Sequence, residues 1–301
     1  MAFSMSRPVK IMCVALKPLG EAQLLSALDA AAYDGLDLVA LPETCVVNQA
    51  EGYTIDSDFI RSVRDIAKTY DTNVILPVYL AYENAKRVNA AVVIDRRGDI
   101  KAVYRKLYPY WSEFDLSPPC AVTDGGDCVA DLDFGRIGLA ICFDSNFPGV
   151  WQNLSDKGAE LTVWCSAYSA GSQLSAYSLT HHYPIVTCTQ VPDSAVFDID
   201  GREIKYGKGE GGAYILEHTV DLDRCIFHYN FNRDKAEKLL AEHRADIEIE
   251  KDYWREQWFI LRSKSEKASA RELAARYNMK ELKAYKSDSM AAIDAMRIDV
   301  R

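Results

Sequence analysis

Hydrophobic residues near the start of the chain form short continuous runs, separated by stretches with a helical repeat. The continuous runs predict buried strands at Val9–Leu16, Leu36–Leu41 and Asn73–Leu80. The stretches between them have one apolar face and predict helices over Gly20–Tyr33 and Asp56–Tyr70. Asp56 or Ser57 can cap the second helix. Strands that alternate with helices in this order indicate a layered α/β domain.

The pattern then changes to paired strands. Val88–Ile94 and Ile100–Tyr104 flank a turn in which Gly98 supplies a positive φ, and this predicts a β-hairpin. A second hairpin pattern follows at Ala195–Ile199 and Arg202–Tyr206. Strands and helices alternate between the two hairpins, at Arg136–Ile141, Phe147–Lys157, Leu161–Cys165 and Ser172–His182. Because βα units and a hairpin occur twice, we expect two similar mixed sheets stacked face to face with helices outside.

From Asn232 onward the composition shifts toward Lys, Glu, Arg and Ala, without a Gly/Ser linker before it. Helical patterns predict segments near Asp234–His243, Tyr253–Leu261, Ala270–Tyr277 and Ser289–Met296. We therefore expect a first domain over residues 1–230 and a helical extension over residues 231–301. Apolar side chains such as Trp254 and Trp258 need a surface to cover, so this extension should pack on the domain or on a partner subunit.

The composition excludes several classes of protein. The 301 residues are 49% apolar and 26% charged, which is an ordinary globular balance. The formal charge of -9 comes without a basic block, so no nucleic-acid interface is expected. No apolar run approaches the roughly 20 residues of a transmembrane helix, and the starting sequence MAFSMSRPVK lacks the apolar core of a signal peptide. These features predict a cytoplasmic protein that contacts no membrane.

The eight cysteines include no C-x-x-C pair, which argues against a zinc ribbon or a redox dithiol. Several lie within apolar runs, where buried reduced thiols are the simplest interpretation. His181 and His182 are adjacent on a predicted helix and point apart, so packing or capping fits them better than a joint metal site. We expect neither a metal nor another cofactor.

Three apolar strands end in residues that can carry chemistry, and two of these residues are charged. The run Leu38–Leu41 is followed by Glu43, a carboxylate that can act as a general base at the sheet edge where α/β clefts form. The strand that ends at Tyr104 is followed by Lys106, whose ammonium can stabilise an oxyanion. Taken singly, each residue also fits an exposed charge at the end of a strand.

The third strand, Ile137–Ile141, leads into a turn at Cys142, and Pro148 then begins a helix. A cysteine on such a turn can expose its sulfur in the cleft, where the helix N-terminus and a nearby lysine favour the thiolate. The backbone N–H of Phe143 can face a tetrahedral oxyanion. Taken alone, Cys142 also fits a buried structural cysteine.

Together, these stretches resemble the nitrilase superfamily of carbon–nitrogen hydrolases over roughly residues 8–220. The matching residues are Leu41-Pro42-Glu43, Arg105-Lys106 and Gly138-Leu139-Ala140-Ile141-Cys142-Phe143-Asp144. Glu113 follows Lys106 by seven residues and stands where this family often carries a second glutamate. A supporting similarity is the segment Lys157-Gly158-Ala159-Glu160-Leu161, which precedes an apolar strand and Ser166-Ala167.

The resemblance implies both a fold and a mechanism. The implied fold is an αββα sandwich with two mixed sheets that usually dimerises, so a homodimer or higher homo-oligomer is expected. Cys142 would attack the substrate carbon, and Glu43 would take its proton and later activate water. Lys106 and the Phe143 N–H would hold the oxyanion, while Glu113 would position Lys106 or the substrate. Ammonia or an amine would leave before water cleaves the thioester.

The residues after the nucleophile favour a small-molecule amide as substrate. The spacing Cys-x-Asp-x-Asn-aromatic-Pro is similar to amidases of the family, whereas the Cys-Trp-Glu typical of nitrile hydrolysis is absent. Ser145 and Asn146 stand where carbamoyl-amino-acid hydrolases often carry arginine, and Gly149 replaces the usual glutamate. An N-carbamoyl compound, a nitrile and a non-catalytic role are the alternatives. Side chains in the expected cleft loops are candidates for substrate binding, although core packing fits the aromatic ones equally: Tyr110, Trp111, Phe114, Asn146 and Tyr168.

Overall fold

The computed structural model describes residues 6–47, 51–265 and 268–298. Residues 1–5, which belong to the N-terminal stretch discussed above, lie outside the described residues. The chain divides into two compact units, one over Val9–Val220 and a second formed mainly by the residues from Asp221 onward. Within the described residues, no helix is long and apolar enough to cross a membrane.

The described residues of the first unit form twelve strands and four α-helices. The strands are β1 (Pro8–Leu16), β2 (Leu38–Ala40), β3 (Asn73–Tyr82), β4 (Lys86–Ile94), β5 (Ile100–Arg105), β6 (Val129–Leu132), β7 (Gly135–Ile141), β8 (Leu161–Ser166), β9 (Ile185–Thr189), β10 (Asp193–Phe197), β11 (Glu203–Lys208) and β12 (Ala213–Asp221). The helices are α1 (Glu21–Ala31), α2 (Asp58–Thr69), α3 (Pro148–Asp156) and α4 (Ser172–His181). The two βα stretches and both hairpins predicted from the sequence are confirmed.

These strands form two mixed sheets of six strands each. One has the order β12-β1-β2-β3-β4-β5, and the other has the order β11-β10-β9-β8-β7-β6. Each sheet has three parallel strands, β1 to β3 in one and β7 to β9 in the other, beside an antiparallel hairpin. Helices α1 to α4 make the connections between the parallel strands. The duplicated topology is the one that the repeated sequence pattern predicts.

The two sheets stack with the helices outside, in the αββα arrangement. Strands β2, β8 and β9 are buried at every position. The Cys188 thiol donates to the Ala40 carbonyl at 3.3 Å, and this bond joins β9 of one sheet to β2 of the other. Ser57 caps α2 by accepting from the Ile60 N–H, which decides between the two capping residues considered.

In the second unit, the described residues form three helices and a small sheet. Its elements are β13 (Cys225–His228), α5 (Arg233–His243), β14 (Ile247–Tyr253), β15 (Trp258–Ser263), α6 (Ala270–Arg276) and α7 (Leu282–Met296). The helix predicted at Tyr253–Leu261 is wrong, because that segment is the end of β14 followed by β15. Phe259, Ile260 and Leu261 are all fully buried since β15 lies between β13 and β14. The other three predicted helices are confirmed, and the expected subunit contact of this segment stays a prediction.

Strand β7, which leads to Cys142, has no room for a side chain at Gly138. A Cβ atom at Gly138 would lie 2.9 Å from Thr162 Oγ1 and 3.1 Å from Ala159 Cβ, and both neighbours are buried. We expect Gly138→Ala to lower the free energy of unfolding by about 1–3 kcal/mol through overpacking. Urea unfolding followed by circular dichroism measures this change.

Gly149→Ala is the matched control, because it makes the same chemical change within α3. Nothing in the described part of the chain lies within 4 Å of a Cβ added at Gly149. This variant should unfold at the wild-type urea concentration or slightly above it. Equal unfolding midpoints for Gly138→Ala and Gly149→Ala would contradict the packing argument.

Candidate active site

The carboxyl ends of strands from both sheets meet at one cavity of about 590 Å³. Glu43 follows β2, Lys106 follows β5 and Cys142 follows β7, and all three side chains line this cavity. The carboxyl ends of parallel strands are where open α/β sheets usually form clefts. Three stretches that are distant in sequence are therefore brought to one place by the topology of the two sheets.

Lys106 lies between two buried carboxylates. Its Nζ donates to Glu43 Oε1 at 2.8 Å and to Glu113 Oε2 at 2.5 Å. The side chains of Lys106, Glu43 and Glu113 are 1%, 5% and 8% exposed, so water screens these charges very little. Burial by itself lowers the pKa of Lys106, but the neighbouring Glu43, Cys142 and Glu113 outweigh it and raise that pKa well above its ordinary value. The lysine is therefore a fixed ammonium.

Each oxygen of the Glu43 carboxylate has a donor. Besides Lys106, Oε1 accepts from Asn89 Nδ2 at 2.7 Å, and Oε2 accepts from the Ala167 N–H at 2.8 Å. Asn89 Nδ2 also donates to Glu113 Oε1 at 2.9 Å, so one amide bridges both carboxylates. Gln190 Nε2 donates a hydrogen bond to the Glu43 backbone carbonyl oxygen at 2.5 Å. The carboxylate is therefore fixed in position.

Glu113 lies on a short 3₁₀ helix, Trp111–Phe114. Its Oε2 accepts from the Tyr110 N–H at 2.7 Å as well as from Lys106. The carboxylate thus caps its own short helix and binds the ammonium with one oxygen. This geometry lets Glu113 hold Lys106 in place.

Cys142 is the first residue of a second 3₁₀ helix, Cys142–Asn146, and has a φ of 49°. That left-handed conformation is uncommon and strained for a residue other than glycine. Trp164 Nε1 donates to the Cys142 carbonyl at 3.1 Å and helps to hold the turn. The strand-to-helix turn expected from the sequence is present, and it presents the Cys142 sulfur to the cavity. The Phe143 N–H lies in the first turn of the helix, where it has no intrahelical acceptor.

The sulfur of Cys142 is a thiol at rest. Burial and the neighbouring Glu43 carboxylate raise the pKa of Cys142, Lys106 opposes them without cancelling their effect, and the resulting pKa is about 12. Lys106 favours the thiolate, as expected from the sequence, but desolvation and the neighbouring carboxylate outweigh this effect. A hydrogen bond to Glu43 is among the causes of the shift, so the carboxylate is within reach of the thiol proton.

Asp144 connects the Cys142 turn to the loop that follows β5. Its Oδ2 accepts from the Tyr104 hydroxyl at 2.7 Å and from the Ile141 N–H at 2.9 Å, and its Oδ1 accepts from the Tyr108 N–H at 3.0 Å. Burial raises the pKa of Asp144 to about 6, although these three hydrogen bonds favour the charged form. One buried carboxylate therefore fixes the Cys142 turn against the loop that follows β5.

The candidate substrate-binding residues divide into two groups. Tyr110, Asn146 and Tyr168 line the cavity, whereas Trp111 and Phe114 are not among the described residues that line it and are 63% and 43% exposed. Ala167 also lines the cavity and belongs to the segment noted above for its similarity to the family. The other lining residues were not singled out from the sequence, since their chain positions carry no motif: Thr44, Tyr79, Ser112, Gln173 and Gln190. Asn89 was also missed, although a lone asparagine inside the apolar run of β4 is a signal that could have found it.

The adjacent histidines of α4 serve packing and capping. His181 stacks on Tyr177 and Tyr183, and His182 ends the helix with its Nδ1 3.2 Å from the Ile199 carbonyl oxygen. In the described part of the chain, no group of three or more His, Cys, Asp or Glu side chains is arranged to hold a metal ion.

Comparison with known sequences identifies similar proteins. A citrullinase of Francisella tularensis is 25% identical over 230 residues, which cover 66% of this chain and 76% of the relative. A formamidase of Nitratidesulfovibrio vulgaris is 26% identical over 159 residues, which cover 48% of this chain and 45% of the relative. The chain thus spans most of the citrullinase but less than half of the formamidase.

Two solved structures share the fold. A carbon–nitrogen hydrolase from Helicobacter pylori superposes with a TM-score of 0.63 at 15% identity, over 72% of this chain and 90% of that protein. Saccharomyces cerevisiae Nit3, a member of branch 10 of the nitrilase superfamily, gives a TM-score of 0.63 at 16% identity, over 78% and 97%. The family model for carbon–nitrogen hydrolases matches residues 19–227, which is most of the chain. The chain therefore belongs to the carbon–nitrogen hydrolase family and is an enzyme of that class.

Proposed function

We propose that this enzyme hydrolyses a small-molecule amide through a thioester on Cys142. The observation that carries the proposal is one cavity lined by a thiol, a carboxylate and an ammonium, from Cys142, Glu43 and Lys106. Relatives named as a formamidase and as a deaminated glutathione amidase support an amide as substrate. Covalent catalysis of this kind divides one difficult hydrolysis into two easier steps.

In the first step, the Cys142 sulfur attacks the amide carbon while its proton passes to Glu43. The oxygen of the tetrahedral intermediate takes up negative charge beside the Lys106 ammonium and the Phe143 N–H. Glu43 then gives the proton to the nitrogen, the carbon–nitrogen bond breaks, and ammonia or an amine leaves. A thioester remains on Cys142.

In the second step, Glu43 takes a proton from water, and the resulting hydroxide attacks the thioester carbon. The carbon–sulfur bond breaks, the proton returns to the sulfur, and the carboxylic acid leaves. Glu113 and Asn89 take no part in proton transfer in this scheme. They hold Lys106 and Glu43 in position through three of the hydrogen bonds described above.

The resting thiol makes a nearby base necessary. With its pKa raised to about 12, Cys142 is almost entirely protonated at neutral pH and is a weak nucleophile. Transfer of its proton to Glu43 during the attack avoids a free thiolate in a buried site. The mechanism therefore requires Glu43 and Cys142 to act as a unit.

An N-carbamoyl compound is the second candidate substrate, and the similarity to a citrullinase is the reason to retain it. The same residues would attack the carbamoyl carbon, and the products would include carbon dioxide as well as ammonia. Measuring both products during turnover discriminates the two candidates, because a simple amide yields ammonia or an amine without carbon dioxide.

Replacing Cys142 by alanine should abolish ammonia release while the protein stays folded. The expected loss is at least about a thousandfold, because no nucleophile remains to form the covalent intermediate. Cys128→Ala is the control, since Cys128 is a buried cysteine of the same unit that does not line the cavity. It should retain activity. Ammonia release that persists in folded Cys142→Ala protein would exclude the proposed mechanism.

Asp144→Asn should change how stability depends on pH. The folded pKa of Asp144, about 6, lies above its ordinary value of 3.8, so the folded state binds more protons between these values. The stability that this group contributes at low pH is therefore lost as the pH rises through 6. Between pH 4 and pH 7, the free energy of unfolding of wild type should fall by roughly 2 kcal/mol relative to that of Asp144→Asn, whose amide does not titrate.

Urea unfolding of both proteins at each pH measures this difference, and the other titrating groups cancel in the comparison. A constant difference in unfolding free energy across the range would show that Asp144 does not titrate as described.

A further inference from the structure

The cavity contains one positive charge, and two carboxylates already neutralise it. Of the described residues that line the cavity, three carry a formal charge: Glu43, Lys106 and Glu113. Both glutamates bind the Lys106 ammonium directly, at 2.8 Å and 2.5 Å. Counted by formal charge, the described lining has one net negative charge. A charged substrate therefore meets a negative rather than a positive surface.

A further cation near the site is Arg87, but it does not line the cavity. Its guanidinium carbon lies 4.5 Å from the centre of the Tyr79 ring, and the residue is 6% exposed. Its charge acts on Cys120, whose pKa it lowers against the opposing effect of burial. A substrate carboxylate in the cavity would thus lack the direct, paired donors with which arginine usually binds this group.

The other side chains of the lining are neutral. Asn146 and Gln173 lie at the mouth, where Gln173 Nε2 is 3.4 Å from Asn146 Oδ1, and both residues are exposed. The rings of Tyr110 and Phe143 contact each other edge to face, with centroids 5.3 Å apart. Amide groups and aromatic faces provide hydrogen bonds and apolar surface for an uncharged chain, and aromatic faces also attract cations.

We propose that the substrate is an amide or ureide whose chain is neutral or cationic, and that the site discriminates against a chain bearing a carboxylate. The inference rests on the proposed function and adds the charge of the substrate to it. A carboxylate that leaves water needs a cation or several donors in return, and repulsion by a negative lining adds to its cost. The same reasoning disfavours the carbamoyl derivatives of amino acids that carry a free carboxylate.

Three amides with the same three-carbon spacer test the proposal: pentanamide ends in a methyl group, 4-aminobutanamide in an ammonium and glutaramate in a carboxylate. At low ionic strength, kcat/KM for the first two should exceed that for glutaramate by at least about tenfold. A kcat/KM for glutaramate that equals or exceeds the value for pentanamide would overturn the proposal.

A charge introduced at the mouth provides a second, independent measurement. Gln173→Arg should raise kcat/KM for glutaramate about tenfold and lower it for 4-aminobutanamide, because the new cation pairs with the carboxylate. Gln173→Met is the matched control, since it removes the same amide without adding a charge and should keep the wild-type ranking. An identical ranking in both variants would contradict the electrostatic basis of the selection.

Binding to Cys142→Ala separates failure of the charge inference from failure of the proposed function. Each of the three amides is titrated with this variant, and binding is monitored by ligand-observed NMR. Glutaramate should have the largest dissociation constant. If wild type hydrolyses none of the three but the binding order holds, the catalytic proposal fails and the charge inference stands. Tighter binding of glutaramate, or no binding of any of the three, would overturn the charge inference.

Discussion

The rest of the site depends on the ion pairs that the Lys106 ammonium makes with two buried carboxylates, Glu43 and Glu113. Removing three charged groups from water is unfavourable unless each is paired and its remaining hydrogen-bonding capacity is used. Here the pairing is direct, and Asn89 and the Ala167 N–H complete the shell of Glu43. Glu43 and Lys106 follow strands β2 and β5 of one sheet, whereas Ala167 follows β8 of the other. The geometry of the site therefore depends on how the two sheets stack.

The surroundings of Cys142 are arranged at the expense of stability. Cys142 has a left-handed backbone conformation that is unfavourable for a side chain with a Cβ, and Asp144 is a carboxylate whose burial raises its pKa to about 6. A solvent-exposed aspartate and an unstrained turn would make a more stable protein. They would not hold the Cys142 sulfur, the loop that follows β5 and the end of β7 in fixed positions. Enzymes commonly lose some stability to gain such a fixed geometry.

The positions of Glu43, Lys106 and Cys142 could be predicted because each directly follows a buried strand, and the carboxyl ends of strands converge in α/β folds. Asn89 and the Ala167 N–H could not be predicted in the same way. Asn89 lies inside a strand, and its role depends on a partner 46 residues away, while a backbone N–H leaves no trace in the sequence. Pairing between distant strands decides which residues meet, and local patterns do not encode it.

In the second unit, the sequence pattern led to the wrong type of secondary structure. The aromatic residues around Trp258 and Phe259 suggested a helix, but a continuous buried run is equally typical of a central strand. The alternation in Ile247-Glu248-Ile249-Glu250 marks the neighbouring strand β14 and would have predicted a hairpin there. In the described residues, β15 is buried because it lies between two other strands, and this follows from tertiary structure.

The central claim is that Cys142, Glu43 and Lys106 act together to form a covalent intermediate. The most direct test is a single-turnover reaction with pentanamide, quenched rapidly in acid and analysed by peptide mass spectrometry. The account predicts a pentanoyl adduct on the peptide that contains Cys142 and on none of the peptides that contain the other seven cysteines. Release of pentanoate and ammonia with no adduct at any quench time, or an adduct on another cysteine, would contradict it.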